Sequence, residues 1–403
     1  MNMNMKQNHN RLRLALLLGS FSALGPLTID MYLPSFPQIA EDFGTKASLV
    51  QLSLTACLVG LGLGQLVMGP MSDVHGRRKP LLLSLVVYLI ASLACALAPN
   101  ITLFIVARFI QGFAASSGIV ISRAIVRDLY SGHELTKYFA LIMLVNNVMP
   151  LLAPVAGSGI ISFTTWIGVF IVLGAIGLAL ALIATWQLEE TLPREKRISS
   201  NFGELLRNFG QLLKDREFTG YALTQGLMIG GIFAYVSGTP FIYQHIYGTS
   251  PQVFAFLFGT NGLSLILGSQ IVGRLSHKWS EQQFLLLGLL LSGASSVSLL
   301  IAVLVEGPLW SLVVPLFFFV CSIGITATAS FSLAMENQAH IAGSASALLG
   351  LLPFVLGAVA APLVGIAGEE TAVPMGVIIF TASMLGMVAY FGLVRSKQRA
   401  SGK

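Results

Sequence analysis

Two residues in this chain of 403 are placed where an ionisable group is costly. Asp30, in PLTIDMYLPSFPQ (26–38), is the only charged residue between Leu14 and Ala40. Arg108, in ARFIQGFAASSG (107–118), sits inside a second apolar run. A carboxylate with an ordinary pKa of about 3.9 exchanges no protons near neutrality. Burial in a low dielectric raises such a value, and a close arginine lowers it. An acid and a base at one apolar depth can therefore bind and release a proton, provided the arginine is not locked to the acid throughout. A permanent salt bridge between two helices is the structural alternative.

The elements that would position such a pair follow from composition. The chain is 55% hydrophobic and only 10% charged, against roughly a quarter charged in soluble domains. A spanning helix needs about 20 predominantly apolar residues. Twelve segments qualify: 14–38, 48–71, 81–98, 101–126, 137–161, 166–188, 219–243, 252–275, 284–305, 309–334, 341–366 and 373–394. The first is too long for a cleaved signal peptide and has no small-residue cleavage site after it. At about 1.5 Å per residue, Arg108 lies roughly 11 Å and Asp30 roughly 15 Å from the same face. In a hydrocarbon core of about 30 Å, both are near the midplane, where ionisable residues mark functional sites by default.

Basic residues fix an orientation through the positive-inside rule. Lys6, Arg11 and Arg13, then Arg77, Arg78 and Lys79, then Arg127 and Lys137 fall on one side. Arg194, Lys196, Arg197, Arg207, Lys214, Arg216, Arg274, Lys278, Arg395, Lys397, Arg399 and Lys403 join them, and Arg123 lies at that end of the fourth span. The opposite loops hold only Lys46. Both termini are therefore expected in the cytoplasm, in a multi-pass protein of a bacterial plasma membrane. The net charge of +6 reflects topology and is no argument for nucleic acid. Cys57, Cys95 and Cys321 fall inside spans without metal-like spacing and read as packing residues.

The chain also repeats itself. Residues 43–73 lie over 247–277 with Gly44 on Gly248, Thr45 on Thr249, Gly64 on Gly268, Gly69 on Gly273 and Ser72 on Ser276. The expected division is a six-helix half (1–188), a polar linker (189–218) and a second six-helix half (219–403). In the linker, Phe202, Leu205, Leu206, Phe209, Leu212 and Leu213 recur at helical spacing, with Glu204, Arg207, Asn208, Gln211 and Lys214 opposite. That pattern predicts an amphipathic helix on the membrane surface. The fold class is thus an all-α membrane protein of twelve spans in two pseudo-symmetric halves, a plan whose sites lie at the interface between repeats.

Three motifs refine this. GPMSDVHGRRKP (69–80) resembles the loop after the second span in the major facilitator superfamily. The resemblance implies an inner gate of Gly69, Asp73, Gly76, Arg77 and Arg78, with Asp128 as partner for Arg77; the second copy has His277 where Asp73 stands. Arg108, Gln111 and Gly112 match that family's R-x-x-Q-G in the fourth span. NNVMPLLAPVAGSGI (146–160) is similar to its fifth-span antiporter motif, with Ala153 for the usual Gly, then Pro154, and Gly157 one residue early. Pro150 and Pro154 should bend that helix, and GAVAAPLVG (357–365) echoes it. With TIDMYLPSFP, SRAIVRDLYSG (122–132) and GTPFIYQHIYG (238–248), the chain looks like the bicyclomycin and chloramphenicol resistance family of drug:proton antiporters.

That resemblance implies a multidrug efflux transporter, a monomer in the bilayer, exporting a small amphipathic drug in exchange for protons. Asp30 and Arg108 would couple protons. Met31, Phe36, Gln111, Asn146, Asn147, Tyr235, Phe241, Tyr243, Phe258 and Asn261 are candidate cavity residues. Tyr32, two residues beyond Asp30, should face away from it. One charge moving down 100 mV supplies about 2.3 kcal/mol, and each pH unit about 1.4 kcal/mol, so one proton sustains a drug gradient without ATP. No Walker-type phosphate loop, metal set or cofactor motif stands in the sequence. Proton-coupled uptake of a sugar or other metabolite remains the alternative within transport. An intramembrane enzyme lacks H-E-x-x-H and G-x-S-x-G, and His9, His75, His133, His245, His277 and His340 are scattered.

Overall fold

The computed structural model describes residues 2–130, 132–197, 202–338 and 341–395. His340, Lys397, Arg399 and Lys403 lie outside the described residues, as do the side chains of Lys6, His9, Arg11, Arg13, His133, Lys137, Lys196, Phe202, Glu204 and Leu205. Every long element described is a helix: α1 (Asn2–Asp30), α2 (Phe36–Asp42), α3 (Ala47–His75), α4 (Arg78–Ala96), α5 (Ile101–Leu129), α6 (Gly132–Ile161), α7 (Trp166–Gln187), α8 (Phe202–Lys214), α9 (Arg216–Phe241), α10 (Pro251–Leu275), α11 (Glu281–Leu304), α12 (Leu309–Met335), α13 (Ala342–Leu363) and α14 (Val373–Ala389).

Twelve stretches among the described residues are long and apolar enough to cross a membrane, from Leu14–Asp42 to Val373–Arg395. They follow the twelve expected segments to within a few residues; within the fifth, the stretch Leu144–Ile161 qualifies among the described residues. α6 itself runs from Gly132 to Ile161. Leu83, Ile90, Leu290 and Val388 are each more than half exposed, as expected where lipid is the solvent. Exposed Trp186 and Trp310 lie at helix ends, where aromatic side chains suit a membrane interface.

The turn at Gly76–Arg77 and the turn at Lys46 mark the bundle's two ends, named below by Arg77 and Lys46. α1 and α3 to α7 pack on one another, as do α9 to α14. The repeat expected from sequence is present in the backbone. Gly44 and Gly248 both adopt positive φ, +56° and +62°, each three residues before the next helix, at Ala47 and Pro251. A side chain there would be strained, so glycine is required. Gly64 abuts α5 at Phe113 and Ser116, and Gly268 abuts α12 at Cys321 and Gly324.

The two groups of helices meet along α3–α13 and α6–α10. The Ala47 N–H donates to Glu369 at 2.9 Å, and Gln51 Nε2 donates to the Ser237 carbonyl at 3.1 Å. Farther in, Gly62 faces Leu351 and Phe354, and Gly262 faces Leu151. These contacts run from the Lys46 end to the middle of the bundle. α8 docks on α9 and α13 through buried Phe209 and Leu212. Asn208, expected on its polar side, donates to Ser344 Oγ at 3.2 Å, while Leu206 and Leu213 stay exposed.

Candidate functional site

The site begins where α1 stops. Pro34 and Pro37 have no N–H to return to the carbonyls of Asp30 and Leu33, and each disfavours helix in the residue before it. The helix therefore ends at Asp30, passes through a tighter 3-10 turn at Leu33–Ser35 and resumes at Phe36. Asp30 is 5% exposed. Among the described residues its carboxylate has no hydrogen-bond or ion-pair partner.

Arg108 does not pair with it. The guanidinium is fully buried; Nη1 donates to Gln111 Oε1 at 2.5 Å and Nη2 to the Thr28 carbonyl at 2.8 Å. Its Cζ lies 4.0 Å from the Tyr32 ring centroid and 5.5 Å from that of Phe170. Arg108 Nε is buried without a partner. Gln111 in turn donates to Ser92 Oγ at 2.8 Å. Arg108 thus holds the chain on both sides of Asp30, through the backbone at Thr28 and the ring of Tyr32.

Tyr32 packs against Arg108, not Asp30. Because the helix has already ended, the residue turns in under Arg108. Its hydroxyl lies 3.2 Å from Ser53 Oγ, and its ring meets Phe36 and Phe170 edge-on at 4.9 and 5.7 Å. Thr28 is tied sideways to Tyr88, hydroxyl to hydroxyl, at 2.8 Å.

The second helix group brings an aromatic wall. Phe36 meets Phe241 at 5.9 Å, and Tyr235 stacks on Phe258 at 5.1 Å. Asn261 Nδ2 donates to the Tyr235 hydroxyl at 2.9 Å, and Tyr235 lies within electrostatic reach of Asp30. Tyr243 is buried at the base of the wall against Phe254, its hydroxyl without a partner. Asn146 pairs with Ser22 Oγ at 2.9 Å; Asn147 is half-buried. Gln111 is sealed against Arg108 and Ser92, away from this wall. Met31 meets α6, where a Cβ on Gly157 would collide with the Met31 carbonyl. Ala153 and Pro154 are buried beside it, with Pro150 half-buried. No group of three or more His, Cys, Asp or Glu among the described residues could hold a metal ion.

At the other end, the charges expected to meet do meet. Arg77 Nη1 bonds Asp73 at 2.5 Å, and Nε bonds Asp128 at 2.8 Å. Burial would lower the Arg77 pKa, but hydrogen bonds and charge from Asp128 and Asp73 outweigh it and push the value above the ordinary one. Gly76 has φ +88°, and a Cβ there would run into Glu190. Gly69 needs no such closeness: its nearest neighbour would be Val120 at 3.5 Å. Arg78 donates to the Thr185 carbonyl at 2.5 Å.

Two acids, one at each end of the bundle, had no sequence signal. Glu190 accepts from the Arg77 backbone N–H at 2.8 Å, and Glu369 accepts from Ala47. Both lie in loops, where no periodicity ties them to partners more than a hundred residues away.

The Major Facilitator Superfamily model matches residues 16–362. The chain is 54% identical over 389 residues to the "Uncharacterized MFS-type transporter YdgK" of Bacillus subtilis (strain 168), covering 96% of each. It is 31% identical to the "Bicyclomycin resistance protein homolog" of Haemophilus influenzae, over 99% of this chain and 100% of that one. It is 30% identical to the "Chloramphenicol resistance protein" of Pseudomonas aeruginosa, over 91% and 87%. Among solved structures, a bacterial homolog of the human lysosomal transporter Spinster superposes with a TM-score of 0.74 at 15% identity, covering 96% and 98% of the chains.

Proposed function

The chain belongs to the major facilitator superfamily, and from that premise we propose that it exports small amphipathic drugs from the cytoplasm in exchange for protons. Relatives named for bicyclomycin and chloramphenicol resistance support the drug class. The observation that carries proton exchange is the bare carboxylate of Asp30. It is buried near mid-bundle, while the one arginine at its depth is bound elsewhere. Such a group holds a proton or a donor-bearing drug, and the two exclude one another. Competition for one site is sufficient for exchange.

In this reading the Arg77 end faces the cytoplasm. The contacts at the Lys46 end hold the bundle shut toward the outside, and must open for proton loading and drug release. At the opposite face Arg77, Asp73 and Asp128, joined to one another within residues 1–188, are the surface on which residues 219–403 close when that face shuts. Residues 1–188 and 219–403 rock against one another, with 189–218 tethering them through α8, in a monomer. Phe36, Tyr235, Phe241, Phe258 and Asn261 form the drug wall, and Asn146 the polar contact from α6.

The test is flux in vesicles of the purified protein under an imposed pH gradient, with chloramphenicol and bicyclomycin as probes. An acidic interior should drive drug inward against its gradient, as exchange requires. Movement of drug in the same direction as the protons would replace exchange by symport.

A further inference from the structure

Arg108 and Asp30 have opposite charge and share a depth, yet they stay apart. Both Nη nitrogens and one face of the guanidinium are engaged. Gln111 and Thr28 each accept from one Nη nitrogen, Cζ lies over the Tyr32 ring 4.0 Å from its centroid, and Nε is the one nitrogen left without a partner. Tyr32 is itself wedged, fully buried and fixed by Ser53, Phe36 and Phe170. A guanidinium over a buried aromatic face is held by the ring's quadrupole, and that contact competes with a charge partner that must also be desolvated.

We infer that Tyr32 is a positioning residue for proton exchange: it holds Arg108 in the stack and so keeps the Asp30 carboxyl free of a permanent counter-ion. This rests on the reading of Asp30 as the proton carrier. Without the ring, Arg108 would be free to turn toward Asp30, and the carboxylate would be fixed in its charged form. Among the described residues no other ionised group intervenes at this depth. The helices beside Asp30 offer Cys57 from α3 and Tyr235 from α9, both within electrostatic reach of it and both uncharged when protonated. Tyr88 from α4 is engaged by Thr28, and α6 brings the neutral Asn146.

Dicyclohexylcarbodiimide, which attacks protonated carboxyl groups in apolar surroundings, tests this without any drug. Labelling of Asp30 in the full-length protein is followed by mass spectrometry as pH is varied. Tyr32→Ala should move the midpoint to lower pH by about one unit or more, the scale of an acid gaining an arginine neighbour, a tenfold loss of labelling at a fixed pH above it. Tyr32→Phe keeps the ring and should keep the wild-type midpoint. The double variant Tyr32→Ala/Arg108→Ala should recover labelling, because the arginine that Tyr32 restrains is gone; a merely structural defect would persist. An unshifted midpoint in Tyr32→Ala, or a double variant that stays shifted, overturns the role of Tyr32. A wild-type protein whose Asp30 is never labelled at any pH overturns the proton-carrier reading itself.

Discussion

Arg108 stacks 4.0 Å over the ring of Tyr32 and forms no ion pair with Asp30, two residues earlier in the chain. The acid is left bare by the way its own helix ends. Pro34 and Pro37 stop α1 at Asp30, the chain turns, and Tyr32 takes the place beside Arg108 that regular helical spacing would have denied it.

Arg108 makes a bidentate grip on Gln111 and the Thr28 carbonyl together with a planar stack. A lysine has one compact charge and no plane. Arg108→Lys should therefore retain about a tenth of wild-type transport, and Arg108→Ala none, with both proteins still in the membrane. Rates of drug uptake into vesicles are the check; full activity in the alanine variant would make the grip dispensable.

The Arg77 cluster allows a graded comparison. Asp128 has a side chain 15% exposed, and Asp73 one 46% exposed. Exposed pairs contribute about 0–1 kcal/mol, whereas breaking a buried one costs about 3–5 kcal/mol. Asp128→Asn should cost about 2 kcal/mol and Asp73→Asn under about 1 kcal/mol, read from thermal unfolding in detergent. The pKa of Arg77 is raised by folding, so its contribution is full below the ordinary arginine value and fades only as pH rises through the higher folded value. The gap between the two variants should hence be constant from about pH 6 to pH 9.

Glu369 caps α3 from the far helix group, at an N-terminus whose own cap residue, Lys46, makes no side-chain bond. A carboxylate at a helix N-terminus contributes about 0.3–1 kcal/mol. Glu369→Ala should shift the balance toward opening of the Lys46 end by roughly two- to fivefold. Spin labels on exposed Lys46 and Glu370 measure this by electron–electron distance. A larger long-distance population is expected; an unchanged distribution would remove Glu369 from the gate.

Much of this was legible in the chain. Twelve spans follow from apolar length, because the bilayer sets the ruler. The Arg77–Asp73–Asp128 contacts follow from a motif whose glycine, Gly76, does adopt the left-handed turn. Gly44 and Gly248 betray the duplication because both need positive φ. The Tyr32–Arg108 contact is not legible from spacing, because the helix ends at Asp30. Gln111 was assigned to the drug wall, but its amide is consumed by Arg108 and Ser92. Glu190 and Glu369 act through loop geometry, which leaves no period in sequence to read.

One measurement bears most directly on the bare carboxylate at Asp30. Chloramphenicol is added to purified protein in weakly buffered detergent solution, and the pH is followed. The wild type should release about one proton per drug bound, and Asp30→Asn should bind the drug weakly and release none. Proton release of wild-type size from Asp30→Asn would contradict the exchange mechanism.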